Sequence, residues 1–367
     1  QAGQRPTAAV LTAAIDQLGS FDFGVRTNAA RTVRRATAVD AAPLLVRAAR
    51  SHRDEYVRFR ALVILSGLGD ASAAAVMSDL IRDRDDRIRT VVYQWFEHHP
   101  DPATLPALLA ALPDERSEFV RPALTRAIAA HEKDPRAMAA LKPLVMRGED
   151  LFRGAVIDAL GDYKGNYALA DIVEVAKLDG PLQDDAITAI GRLGDSSTKA
   201  VLAALQTSVP DERRPSVAAA LCLIGVDCAA EEEFLVKTLR FAAATDDAQP
   251  LLRGAVHGLG VLALRGREGA LTSLIDAGIP AKASARAPIA LGVGLVALRN
   301  PPLVLRVLEG RSDVADVANL LRDAFDMLSE DFDEERFFAA ARQAYWDAAV
   351  GSSRRRLAEV LIDELEF

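Results

Sequence analysis

The sequence has few cysteines, histidines and aromatic residues and no long apolar run. Its 367 residues include two cysteines, five histidines and two tryptophans, and only 5% are aromatic. The longest apolar runs, such as residues 258–264, are far shorter than the roughly 20 residues of a transmembrane helix. We therefore expect no membrane-spanning segment.

The two cysteines, Cys222 and Cys228, are six residues apart, a spacing that does not match the usual zinc motifs. We expect no metal site and no cofactor. Two interpretations of the pair stay open: small core residues, or a disulfide if the compartment is oxidising.

Alanine, leucine and valine dominate the half of the sequence that is hydrophobic, and 26% of the residues are charged. This mixture is typical of closely packed helices and argues against disorder. Apolar residues recur at a period of about 3.6, with turn signals every 12–18 residues or so. The composition and the periodicity together predict an all-helical protein.

A dipeptide recurs every thirty-odd residues, at separations of 32, 31, 32 and 32. Its copies are Val25-Arg26, Val57-Arg58, Ile88-Arg89, Val120-Arg121 and Phe152-Arg153. An acidic residue precedes most copies by three or four positions, and a Leu-Gly-Asp formula recurs at Leu68-Gly69-Asp70, Leu160-Gly161-Asp162 and Leu193-Gly194-Asp195. A fixed period of this length indicates one supersecondary unit stacked many times.

This pattern resembles the HEAT repeats, in particular the short bacterial HEAT-like repeats also found in phycobilisome lyases. The resemblance covers about residues 7–300. It implies a right-handed α-α superhelix of about nine to eleven helix pairs, in which the second helix of each pair lines the concave face. It also implies an Asp–Arg ladder between repeats, carried here by Asp22/Arg26, Asp54/Arg58 and Asp85/Arg89.

The last residues leave the repeat, and aromatic residues concentrate there. A solenoid needs an atypical terminal cap to cover its last apolar face. We therefore predict a repeat solenoid over residues 1–300 and a divergent helical cap over 301–367. Partner docking on the cap is the alternative role, with Phe337, Tyr345 and Trp346 as candidate contacts.

Catalysis finds no support in the sequence. The five histidines are scattered without the spacing of a metalloenzyme helix, and neither a Walker loop nor a nucleophile elbow is present. We expect the protein not to be an enzyme.

A helical wheel places a set of residues on the exposed line of the concave face, and these are the candidate partner contacts. They are Arg31, Arg34, Phe59, Val63, Gln94, Arg126, Asp158, Gly191 and Gly258. Basic residues occur on this line only in the first and fourth repeats, and it becomes acidic by the fifth. A phosphate-binding groove needs a continuous basic stripe, so we do not expect nucleic-acid binding.

From the fifth repeat onward the same line is rich in glycine, although glycine inside a helix costs about 0.5–1 kcal/mol relative to alanine. The glycines are Gly154, Gly161, Gly191, Gly254, Gly258 and Gly294. They serve either tight packing between repeats or the close approach of a partner's backbone in the groove.

Charge is spread unevenly over a net value of −8: residues 1–60 carry +5 and residues 300–367 carry −7. The ends are either plain solvated surface or two distinct surfaces that steer different partners or favour head-to-tail contacts. The sequence begins Gln1-Ala2-Gly3, which together with the cysteine pair favours a periplasmic or otherwise exported protein, with a cytoplasmic one as the alternative.

The function that these features favour is a non-catalytic scaffold or adaptor, a subunit of a larger assembly that binds protein partners through its concave face and cap. A chromophore-attachment factor similar to phycobilisome lyases is the first alternative. A nucleic-acid-binding solenoid is the second.

Overall fold

The computed structural model of the protein describes residues 6–225 and 228–367. Within these residues all regular secondary structure is helical, as predicted. The first eleven α-helices are α1 (Ala8–Gln17), α2 (Phe23–Arg34), α3 (Ala38–Ser51), α4 (Glu55–Ser66), α5 (Ser72–Asp79), α6 (Asp86–His98), α7 (Leu105–Ala111), α8 (Arg121–Ala129), α9 (Pro135–Leu141), α10 (Asp150–Asp162) and α11 (Leu169–Lys177).

Eleven further α-helices follow among the described residues. They are α12 (Gln183–Leu193), α13 (Lys199–Ser208), α14 (Arg214–Leu223), α15 (Cys228–Ala243), α16 (Gln249–Leu264), α17 (Glu268–Gly278), α18 (Ala283–Arg299), α19 (Pro301–Leu308), α20 (Val314–Leu328), α21 (Asp331–Asp347) and α22 (Ser353–Glu364). The start at Gln1, on which the expectation of export partly rests, lies outside the described residues.

The helices form two compact units. The terminal unit contains the chain up to Ala127 and again from Glu330 to Phe367, and the central unit spans Ile128–Ser329. The predicted division at residue 300 does not coincide with either junction. In the central unit the inner helices of the repeats are α10, α12, α14, α16 and α18, and each packs on the next. Helix α20 packs on α18 in the same way, so residues 301–329 continue the central unit.

The inner helices of the first repeats, α2, α4 and α6, each begin directly after an aspartate. The side chains of Asp22, Asp54 and Asp85 accept hydrogen bonds from backbone N–H groups of the first turn, at 3.0, 2.8 and 2.9 Å. An aspartate N-cap satisfies a helix donor that otherwise has no partner. These acids are therefore capping residues, and their predicted role as ladder partners of the following arginines is wrong.

The arginines of the recurring dipeptide do connect structural elements. Arg58 donates to the carbonyl of Ala49 at 3.0 Å and forms an ion pair with Asp83 before the next inner helix. Arg89 binds both carboxylate oxygens of Glu115, at 2.8 and 3.0 Å, and the carbonyl of Asp83. The ladder between repeats exists, but its acids are Asp83 and Glu115, which lie in the loops.

The Leu-Gly-Asp formula has two structural outcomes. Gly69 and Gly194 adopt left-handed φ values of 67° and 73°, and Gly194 ends α12, as a glycine turn predicts. Gly161 instead lies inside α10, so the predicted turn at Leu160-Gly161-Asp162 is wrong.

By length and apolar character, no single helix of the described chain would cross a membrane. Helices α18 and α19 reach that length and apolarity only together, with a bend of 114° between them.

Candidate functional site

Helix α21 covers the inner face of the terminal unit. Glu335 of α21 is fully buried and lies 2.7 Å from Nε of Arg34 on α2. Arg342 donates to the other carboxylate oxygen of Glu335 at 2.9 Å. The Arg34 guanidinium lies 5.2 Å from the ring centroid of Phe338. A buried carboxylate held by two arginines fixes α21 against the first repeats.

Further polar contacts follow the same face. Arg31 donates to the backbone carbonyl of Glu366 at 3.0 Å, and Gln94 donates to Glu330 at 3.3 Å. Arg60 pairs with Asp331. The basic start of the sequence thus meets its acidic end within one unit, an arrangement that sequence reasoning missed although the charge asymmetry was its signal.

These contacts change the interpretation of the first candidate residues. Arg34, Phe59, Val63 and Gln94 are at most 9% exposed, so the expectation that they form an open surface is wrong. The physical reason is that α21 packs on α4 and fills the concavity. Arg31 is partly exposed, and its role in partner binding stays a prediction.

Arg126 is also partly exposed and pairs with Glu97 at 2.8 Å. Its predicted role in partner binding likewise stays a prediction.

Electrostatics within α21 are tuned by burial. Burial and the neighbouring Asp331 raise the pKa of Glu334 to about 7. Burial acts in the same direction on Asp333, but His98, with Nε2 3.7 Å from the carboxylate, and the charge of Arg336 outweigh it and lower the pKa of Asp333. Adjacent carboxyl groups on one helix therefore titrate in different pH ranges.

The glycines of the central unit serve contact between inner helices. A Cβ on Gly191 of α12 would lie 2.6 Å from Cα of Ala220 on α14, and one on Gly161 of α10 would lie 2.9 Å from Cα of Ala189 on α12. Gly258 of α16 is equally close to Leu235 and Pro215. Packing between repeats is thus the correct alternative, and the predicted approach of a partner at Gly191 and Gly258 is wrong.

Contact between glycine and alanine lets the inner helices of the central unit approach closely, and the row that they form curves sharply. Arg299 at the end of α18 reaches Asp158 and Asp162 of α10 at 3.2 and 3.0 Å. Helices α12, α14 and α16 lie between α10 and α18. If all five inner helices were packed side by side in a flat layer, at the usual 8–10 Å between axes, α10 and α18 would be about 32–40 Å apart. The inner face must therefore curl until its own side chains meet across it.

Other side chains of this inner face also contact one another. Arg192 of α12 binds Asp158 and Asp162 at 2.7 and 2.8 Å. His257 of α16 lies 3.0 Å from the hydroxyl of Thr188 on α12. The pKa of His257 is lowered because the surrounding protein desolvates the imidazole and because Arg192 carries a positive charge. Asp158, a candidate partner contact, is thus engaged within the unit.

Within residues 6–225 and 228–367, no three His, Cys, Asp or Glu side chains are grouped so as to hold a metal ion. Cys222 and Cys228 form a disulfide between the end of α14 and the start of α15. Of the two interpretations of the cysteine pair, the disulfide is therefore the correct one.

The end of α21 presents an exposed aromatic corner, formed by Tyr345, Trp346, Val350 and Arg355. Trp346 is 73% exposed and Val350 is 87% exposed. Tyr345 packs edge-on against Trp346, with ring centroids 5.0 Å apart, and the Arg355 guanidinium lies 4.1 Å from the Tyr345 ring centroid. Phe337 is fully buried, so its predicted exposure on the cap is wrong.

Comparison with known proteins supports the repeat architecture. Residues 10–95 match the family model described as HEAT repeats, which confirms the predicted resemblance in that part of the chain. No curated protein matches the sequence.

One solved structure that is similar is "The structure of the complex of CpcE and CpcF of phycocyanin lyase from Nostoc sp. PCC7120". The matched chain is 18% identical, the match covers 88% of this chain and 97% of that chain, and the TM-score is 0.26. A likeness this distant gives no information about function.

Proposed function

We propose that the protein is a non-catalytic scaffold that binds a protein partner through the aromatic corner, rather than through its inner faces. The observation that carries this proposal is the exposure of Trp346 beside Tyr345 and Arg355. Tryptophan, tyrosine and arginine are the residue types enriched at the energetic centres of protein interfaces.

The state of the two inner faces supports this choice of surface. The terminal unit fills its concavity with α21, and the central unit fills its own with side chains that meet across it. Stacked helix pairs of this kind ordinarily use extended surfaces to bind other proteins. With both concave surfaces occupied internally, an exposed edge such as the aromatic corner is open to a partner.

The disulfide supports a further part of the proposal, an oxidising compartment such as the periplasm. Structural disulfides form and persist in exported proteins and are rare in reducing cytoplasm. The bond between Cys222 and Cys228 closes a short loop between two helices of the central unit. Mass measurement of the protein isolated from its host under acid quench tests this assignment, because two free thiols would contradict it.

The binding proposal is tested by photo-crosslinking in the host. A benzoylphenylalanine replaces Trp346 in one variant and Phe241, an exposed aromatic on α15, in the control. We expect one defined adduct from position 346 and none of the same mass from position 241.

The captured protein, once purified, is then titrated against Trp346→Ala and Phe241→Ala. Loss of a central aromatic anchor costs 2 kcal/mol or more, so Trp346→Ala should weaken binding by about thirtyfold. Equal affinities for both variants would refute the assignment of the corner.

A further inference from the structure

A cavity of about 300 Å³ lies in the central unit, where successive inner helices end. It is lined by Lys164, Gly191, Arg192, Gly194, Cys222, Leu223, Cys228, Arg265 and Arg267. Four of these nine residues are cationic and none is acidic. The volume is at the lower end of the range for small-molecule sites and corresponds to about ten water molecules at liquid density.

The four cations come from three separate loops or helix ends, so the fold gathers them. Lys164 follows α10 in a left-handed conformation with φ of 53°, which is uncommon for a residue with a side chain. Arg192 is near the end of α12. Arg265 and Arg267 flank Gly266 in the turn between α16 and α17.

Two of the cations are neutralised by neighbouring carboxylates. Arg192 pairs with Asp158 and Asp162, which also bind Arg299, so two acids balance two arginines. Arg267 pairs with Glu232 at 3.0 Å and lies 3.1 Å from Sγ of Cys228.

The other two cations have no carboxylate partner among the described residues. Nζ of Lys164 donates to the carbonyl of Arg192 at 2.6 Å. Arg265 donates to the carbonyls of Gly161 and Arg192, at 3.2 and 3.4 Å, through a single terminal nitrogen. Lysine has three donors and arginine five, so both side chains keep donors beyond those that the carbonyls use.

Mutual repulsion accompanies this excess of positive charge. Burial and the charge of Arg265 lower the pKa of Lys164, although the charges of Glu132 and Asp162 oppose them. Burial lowers the pKa of Arg265; the charge of Asp162 opposes this shift and the charge of Arg192 adds to it. Cations at helix C-termini also satisfy terminal carbonyls, which gives a purely structural account of their contacts. Contacts to carbonyls do not explain why four cations, and no carboxylate, line one open cavity.

We propose that this cavity binds an oxyanion, a phosphate or carboxylate group carried by a small molecule, between Lys164, Arg265 and Arg267. The anion would accept hydrogen bonds from the donors that the carbonyls leave free and would neutralise the charge excess. Charge-assisted hydrogen bonds of this kind are stronger than neutral ones.

The test is calorimetric titration of the full-length protein with inorganic phosphate, pyrophosphate and citrate at constant ionic strength. We expect saturable binding with one site per chain. Tighter binding of the phosphates than of citrate would assign a phosphate ligand, and the reverse order would assign a carboxylate ligand. Absence of saturable binding for all three anions would overturn the proposal.

Two variants and a matched control locate the site. Arg265→Gln and Arg267→Gln should each weaken binding by about tenfold or more, the loss of one charge-assisted hydrogen bond. Arg267 is half exposed, so that its substitution leaves folding intact even if Arg265→Gln does not. Arg253→Gln, on the exposed first turns of α16, should bind as the wild type does. Equal weakening in Arg253→Gln and Arg267→Gln would show nonspecific attraction and overturn the site.

Discussion

Substitution of Gly191 by alanine probes the packing of the central unit most sharply. The added Cβ would lie 2.6 Å from Cα and 2.9 Å from Cβ of Ala220 on α14. The first of these is a backbone atom, so a flexible side chain cannot simply move aside. We expect the two inner helices to separate locally, and overpacking of this kind costs about 1–3 kcal/mol.

Helix propensity acts in the opposite direction and must be subtracted. Alanine is favoured over glycine in a helix by up to about 1 kcal/mol. Gly260→Ala provides the matched control, because Gly260 also lies within a helix but its Cβ would meet only Cγ2 of Val296 at 3.9 Å, an ordinary contact. This control should be neutral or stabilised by up to about 1 kcal/mol.

Thermal and urea denaturation of both variants measure the difference. In a unit of this size each kcal/mol shifts Tm by about 2–4 °C, so Gly191→Ala should melt several degrees below the wild type and Gly260→Ala at or slightly above it. If Gly191→Ala were as stable as Gly260→Ala, close contact between helices would not be the reason for the glycine.

The remaining predictions concern single contacts. Arg89→Ala leaves the nearly buried Glu115 without its main partner, so it should lower the free energy of unfolding by about 3 kcal/mol. Crosslinking at position 346 should persist below the melting temperature of this variant. Loss of the crosslink with unchanged Tm would contradict a structural role for Arg89. The Glu334 carboxyl has a folded-state pKa of about 7 against an ordinary 4.5, so the folded state retains a proton that the unfolded state releases, and stability should fall as pH rises from about 4.5 to 7. Glu334→Gln should remove that fall, giving a larger gain in Tm over wild type at pH 8 than at pH 5, and equal gains at both would refute the assignment. Replacing Cys222 and Cys228 together by alanine opens a loop of sequence separation six and should cost about 2 kcal/mol in the chain-entropy account; an unchanged Tm measured under non-reducing conditions would contradict it.

The repeat and its helices were predictable because they depend on local periodicity. The recurring arginine dipeptide marks the first turns of α2, α4, α6, α8 and α10, and the 3.6-residue apolar pattern predicts that these segments are helical. Capping was misassigned because the same aspartates suit both an N-cap and an ion pair, and only backbone geometry distinguishes these roles. The true ladder acids, Asp83 and Glu115, lie in loops that carry no periodic signal.

The candidate surface was less predictable because it depends on contacts between distant residues. A helical wheel shows which side of α4 faces the concavity, but not that α21 packs there. The charges of residues 1–60 and 300–367 were opposite in sign, which is compatible with steering, head-to-tail contact or closure within the chain. Only the position of Glu335 beside Arg34 selects among them.

The glycines of the central unit illustrate the same difficulty. Their spacing on the inner helices was visible in the sequence, and both a partner and a neighbouring helix would require small residues there. The distance from Gly191 to Ala220 assigns them to the neighbouring helix. Curvature of the unit follows from many such contacts together, so no single one predicts it.

The contact between α2 and α21, two helices near opposite ends of the chain, is what closes the terminal unit. A double-mutant cycle with Arg34→Met and Glu335→Gln measures this contact, since the two residues are 301 positions apart in sequence and 2.7 Å apart in the fold. Close buried charge pairs couple by at least about 1.5 kcal/mol. Denaturation of the wild type, the two single variants and the double variant should give a coupling of that size. Additive effects within about 0.5 kcal/mol would contradict the closure of the terminal unit by α21.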